Sequence, residues 1–162
     1  MSLRVVSEDL WNLYVYAVWS ALNRLLPRET QEKIRDLAGE IAYGEMEKEL
    51  NLEGIKDPVD MLEQIAGRLT QLGYADFRYE RLGPDEINRY MTDLSLRDCP
   101  NKLRKEGAVL PEPSHAMMWA ALKKRGLQSI RIEDPPDPRY GMKEGVPPEQ
   151  WVFRAHEKIT PQ

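Results

Sequence analysis

Cys99 is the only cysteine in the chain, and His115 is one of its two histidines. A nucleophile or soft metal ligand is therefore sought first in the stretch from Arg89 to Arg125, which holds both. Lys102, Arg104 and Lys105 follow Cys99 closely enough to favour a thiolate, the form that attacks carbon. His115 opens a helical pattern at Ser114, where the positive end of the helix dipole keeps an imidazole neutral, as a base or metal ligand requires. The bland alternatives are a buried cysteine and a solvated histidine in a first turn. The 16-residue interval between Cys99 and His115 has no zinc spacing, and neither Cys-x-x-Cys nor His-Glu-x-x-His occurs. No metal site is therefore assigned, although Glu112 or Asp98 could join the pair in space. His156 alternates away from Trp151 and Phe153 and reads as a surface residue.

The elements that must position these residues follow from period and punctuation. Ser7, Glu8 and Asp9 start a helix that Pro27 ends, and its apolar residues nearly encircle the axis. That helix, residues 8–26, needs cover on most sides, either at the centre of the monomer or shared with a second copy in a homodimer. A second helix to about Leu50 carries an inner stripe of Ile34, Leu37, Ile41 and Met46. Asp57-Pro58 opens a third, with an inner face of Met61, Leu62, Ile65, Ala66, Leu69 and Leu72, closed by Gly73. From Tyr74 the period is two. A first strand alternates Ala75, Phe77 and Tyr79, and after Gly83-Pro84-Asp85-Glu86 a second runs from Arg89 towards Cys99. A basic turn, Asn101 to Gly107, leads to a helix from Ser114 to Arg125 whose inner face is Met117, Met118, Ala121 and Leu122. Two strands around Ile130–Ile132 and Trp151–His156 complete the chain. Between them lies the proline-rich segment 135–149, expected to cover one end of the sheet, with Tyr140 and Met142 at its tip.

The expected fold is one α+β domain spanning 1–162, with a helical part at 7–73 and a sheet part at 74–158. Three N-terminal helices precede an antiparallel sheet of about four strands with one inserted helix.

From Leu69 to Glu157 the run LTQLGYADFRYERLGPDEINRYMTDLSLRDCP, then NKLRKEG, a helix, QSIRIEDPPDP and QWVFRAHE resembles the small domains related to the four-vinyl-reductase domain and to aminothiazoline carboxylate hydrolase. They share a strand ending in Cys-Pro, a helix soon after and a closing strand. The resemblance implies a helix-flanked antiparallel sheet that binds a small molecule or senses one, with hydrolase activity in one branch. His115 stands where many relatives have a further cysteine, so no cysteine-rich metal site is implied here.

Composition bounds the partners. A net charge of −4 with 31% charged residues of both signs argues against a nucleic-acid surface, and the first helix is too interrupted for a membrane span. The absence of a leader pattern and the single cysteine point to the cytoplasm. Tyr79, Tyr90, Met118, Trp119, Tyr140 and Trp151 are the candidate lining of an apolar pocket between sheet and helices, and equally make an ordinary core. Three functions stay open: a small-molecule-binding or sensory domain, a small hydrolase using Cys99 and His115 on a carbon–nitrogen or carbon–sulfur bond, and a structural interaction module. No cofactor is identified.

Overall fold

The computed structural model describes residues 7–96 and 98–162, so Arg97 of the expected second strand lies outside the described residues. The chain is α+β: α1 (Glu8–Leu25), α2 (Arg28–Leu50), α3 (Pro58–Gln71), β1 (Asp76–Arg81), β2 (Glu86–Thr92), α4 (Cys99–Lys105), α5 (Pro113–Lys124), β3 (Leu127–Ile132) and β4 (Phe153–Pro161). The four strands form one sheet in the order β1-β2-β4-β3, every neighbouring pair antiparallel.

The helix signals operate as polar chemistry requires. Ser7 Oγ accepts from the Leu10 amide at 3.2 Å, and Asp57 Oδ1 accepts from the Val59 and Asp60 amides at 2.8 and 3.0 Å, satisfying donors a first turn leaves open. Gly73 takes φ 76° and turns the chain from α3 into β1. Met61, Leu62, Ile65, Ala66 and Leu69 of α3 are buried and pack with Ile87, Ile159 and the α5 residues Met117, Met118, Ala121 and Leu122 into the main core. Leu72 is exposed, because it caps α3 rather than belonging to its face.

Four expectations need correction. The second strand starts earlier and stops at Thr92, since Asp93 at φ 48° cannot continue an extended ladder. Cys99 therefore opens α4 instead of ending a strand, and the basic turn after it is a helix. Pro100 suits a first helical position, and Lys102, Arg104 and Lys105 suit a last turn. Two helices, not one, are thus inserted between β2 and β3. The inner face of α2 is Gln31, Gly39, Tyr43 and Met46, while Leu37 and Ile41 point to solvent. The reason is Gly39: its missing side chain lets α5 approach so closely that a Cβ there would lie 2.6 Å from the Ala116 carbonyl carbon.

The fourth concerns α1. It is peripheral, with only Val15 and Ser20 buried, and it docks on α4 through a small second core of Val15, Leu96, Cys99, Leu103 and Ala108. Polar bonds complete this contact. Glu106 accepts from the Tyr16 hydroxyl and from Ser20 Oγ, the latter at 2.7 Å, and Asn12 donates to the Ser95 carbonyl at 2.6 Å. No described helix is long and apolar enough to cross a membrane.

Candidate functional site

Antiparallel register decides which side chains share a face. Arg89, Met91, Phe153, Ala155, Glu157, Ser129 and Arg131 stand on the face towards α3 and α5, whereas Asn88, Tyr90, Arg154, His156 and Ile130 stand on the other. Where α5 begins, the helices leave part of the inner face uncovered, and a cavity of about 470 Å³ opens there. Its walls come from β2, β4, the edge strand β3, the residues Leu94, Leu96, Pro100 and Asn101, the start of α5 and the end of the 133–152 segment. The volume falls within the range of small-molecule sites.

The floor is a buried ion pair. Arg89 Nε and Nη2 donate to Glu157 Oε2 and Oε1 at 3.0 and 3.1 Å, with both residues less than 10% exposed. Met118 Sδ lies 3.6 Å from Arg89 Nη1. Two parallel bonds occupy both carboxylate oxygens, so the pair is electrically closed. Arg131 lies opposite Glu157 in the register and finds that carboxylate already used.

The wall formed by residues 110–115 is unusual backbone. Glu112 sits between Pro111 and Pro113 at φ 38°, a conformation that costs a non-glycine residue energy and is held by its surroundings. It leaves α5 without a side-chain N-cap. Ser114 faces the hydroxyl of Tyr74 with its amide and its own hydroxyl, which opposes the rise that burial imposes on the Tyr74 pKa. His115 reaches solvent through the cavity while protein surrounds its ring. Burial first, and then the Arg89 charge, lower its pKa against the opposing pull of Glu112 and Glu157. It is a neutral imidazole at neutral pH, available as donor or acceptor.

The structure separates the two residues singled out for catalysis. His115 borders the cavity. Cys99 is 1% exposed, in the core beneath α1, and is not among the cavity-lining residues. Burial pushes its thiol up to about 11, against which the Lys102 charge is a smaller effect. Lys102, Arg104 and Lys105 point outward from α4, because a helix places residues 99 and 103 inward and its cations out. In the folded protein Cys99 is expected to react with a disulfide reagent at neutral pH far more slowly than in denaturant, by about two orders of magnitude or more. Equal rates in the two conditions would contradict its placement.

The aromatic candidates also divide. Trp151 borders the cavity, its indole Nε1 donating to the Val146 carbonyl at 3.0 Å and its ring meeting Phe153 edge-on. Tyr79, Met118 and Trp119 surround a separate void of only about 20 Å³ behind the Arg89–Glu157 pair, too small for a ligand. Tyr90 and Tyr140 pack against each other on the far face, 5.8 Å between ring centres. The 133–152 segment therefore covers that face with Tyr140 and reaches round to the cavity mouth with Met142, Pro148 and Trp151.

His156 is no idle surface residue. Its Nδ1 lies 3.0 Å from both oxygens of Asp134 and its Nε2 lies 2.6 Å from Glu86 Oε1. Asp134 first, and Glu86 next, raise its pKa, so the imidazolium ties the 133–152 segment to the sheet. Arg154 adds a 2.8 Å bond to Asp134 on the same face. Among the described residues, no group of three or more His, Cys, Asp or Glu side chains is arranged to hold a metal ion.

Arg89, Glu157, Arg131 and Tyr74 were not read as site residues from the sequence, and Arg104 and Glu112 were read only as neighbours that could act on Cys99 and His115. Strand parity was a usable signal for Arg89, Arg131 and Glu157, which share the face of Met91 and Phe153 once the register is known. Glu112 between two prolines was another. No protein-family model matches the chain and no curated protein matches it.

Proposed function

We propose that the chain is a small-molecule-binding or sensory domain whose ligand occupies the cavity between β2, β4 and the start of α5. One observation carries this reading. A space of about 470 Å³ is walled by Met91, Leu94, Trp151 and Phe153 and is set with a few polar groups, including His115 and a strained Glu112. The resemblance of residues 69–157 to the four-vinyl-reductase and aminothiazoline carboxylate hydrolase domains points the same way. The hydrolase alternative is weaker, because the raised and secluded Cys99 thiol is a poor nucleophile and no serine or cysteine side chain among the described residues is hydrogen-bonded to His115.

Thermal melting across a set of small mixed apolar and polar compounds tests the binding reading. Compounds that stabilise the wild type are expected to lose that effect in Ala155→Leu, which fills the cavity floor between Phe153 and Glu157. Stabilisation that survives the substitution unchanged would place binding elsewhere and remove the reading.

A homodimer through α1 is part of the proposal. Leu10, Leu13, Tyr14, Val18 and Leu25 are exposed along one helix, and Leu37 and Ile41 are exposed on α2. Glu8 and Asp9 lie at one end of α1 and Arg24 at the other, so an antiparallel two-fold pairing sets acidic ends beside basic ends. Sedimentation at tens of micromolar is expected to show a dimer that Leu13→Glu converts to monomer. Since Leu13 is exposed in the single chain, the substitution leaves the fold intact. A monomeric wild type would exclude the pairing.

A further inference from the structure

We infer that the cavity selects a small organic anion with an apolar body, its charged end taken by Arg104 and Arg131; this rests on the proposed binding function and deepens it. The inference comes from counting which charges at the cavity are still free to act. Arg89 and Glu157 neutralise each other through two bonds and offer no charge to a ligand. Arg154 gives its guanidinium to Asp134 on the opposite face of the sheet. His115 is neutral, because burial and Arg89 both disfavour its imidazolium.

Three charged residues remain among the described lining residues: Arg104, Arg131 and Glu112. Arg131 has no hydrogen-bond or ion-pair partner among the described residues, since the carboxylate facing it across β3 and β4 is saturated by Arg89. Arg104 makes one neutral contact, Nη1 to Asn101 Oδ1 at 3.2 Å. That contact uses the Asn101 amide oxygen, and its amide nitrogen, a donor, has no hydrogen-bond partner among the described residues. Among the described lining residues, the cavity therefore presents two guanidinium groups without an ion-pair partner and an amide donor beside a single carboxylate, in a chain whose net charge is −4.

Charge and apolar surface also come from different elements. Arg131 stands on the edge strand β3 and Arg104 in the last turn of α4, while Met91, Leu94, Trp151 and Phe153 supply apolar surface. A molecule with one anionic end and an apolar remainder satisfies both parts at once. A neutral apolar molecule leaves the guanidiniums unused, and a cation meets repulsion from both. Guanidinium suits a planar oxyanion in particular, because its donors match two oxygens together.

The test uses two probes of equal size and shape, phenylbutyrate and phenylbutyramide, titrated calorimetrically into the full chain. Wild type is compared with Arg131→Gln, Arg104→Gln, the double variant and the cavity-filling Ala155→Leu. Both arginines are exposed, so their replacement leaves the fold intact, and circular dichroism verifies this. The acid is expected to bind at least about tenfold more tightly than the amide, the difference falling to about twofold in the double variant and shrinking with added salt. Ala155→Leu is expected to abolish binding of both. If amide and acid bind equally and Ala155→Leu abolishes both, the anion inference fails while the binding function stands. If neither probe binds, or if Ala155→Leu leaves binding unchanged, the cavity reading fails and takes this inference with it. A preference for the acid that persists in the double arginine variant overturns the assignment to Arg104 and Arg131.

Discussion

Replacing Arg89 by alanine is expected to cost about 3–5 kcal/mol of folding stability, and Glu157→Ala about the same, because either change strands a charge beneath the sheet surface. The pair is almost fully enclosed and each member has the other as its ionic partner. Desolvation is already spent on both groups, so removing one leaves the full penalty of the other. The double replacement Arg89→Met with Glu157→Leu is expected to recover most of that loss, since two apolar side chains of similar size need no partner. Urea unfolding of the four proteins measures the cycle. Single variants that lose under about 1 kcal/mol would show that water reaches the pair and that its charges are effectively exposed. The result bears on the cavity too: with only one member of the pair present its floor would hold a free charge, and its preference for ligand charge would change.

Gly39→Ala is expected to destabilise the protein by about 3 kcal/mol, although alanine is the better helix former. The added Cβ would meet the Ala116 carbonyl carbon and oxygen at 2.6 Å and its Cβ at 2.7 Å. Two of those atoms are backbone, so no side-chain rotation relieves the overlap, and α2 and α5 must separate. Gly44→Ala on the same helix is the matched control, because nothing lies within 4 Å of its added methyl. It is expected to raise stability by up to about 1 kcal/mol through helix propensity alone. Thermal melts of the two variants should therefore move in opposite directions. Equal upward shifts would mean that the helices do not meet closely at Gly39. Since α5 carries His115 at its start, a displaced α5 should also weaken any ligand that Ala155→Leu excludes.

Local chemistry was legible in the sequence wherever it acts over a few residues. Ser7, Asp57-Pro58 and Gly73 marked helix boundaries because caps and left-handed turns are satisfied by near neighbours. The inner faces of α3 and α5 were legible for the same reason, as was the α+β class with its antiparallel sheet. Periodicity failed on α2, where Leu37 and Ile41 suggested an inward stripe that the structure turns outward. There the buried face is chosen by how closely another helix can approach, and glycine at position 39 outweighs leucine at 37.

The site was the least legible part, for a related reason. Cys99 and His115 stood out by type, yet neighbours in sequence said nothing of Cys99 lying under α1. Its lysine and arginine neighbours looked like activation of a thiol, and the helix turns them to the opposite side. The pairing of Arg89 with Glu157 spans 68 positions, and only the β2–β4 register brings the two to one face. What the sequence alone determined was the α+β class, the order of every helix and strand except α4, and most of their inward faces, because those depend on contacts within a turn or a strand. The tertiary structure alone decided which charges cancel, which remain free at the cavity and which residues share it, because those depend on strand register and helix approach.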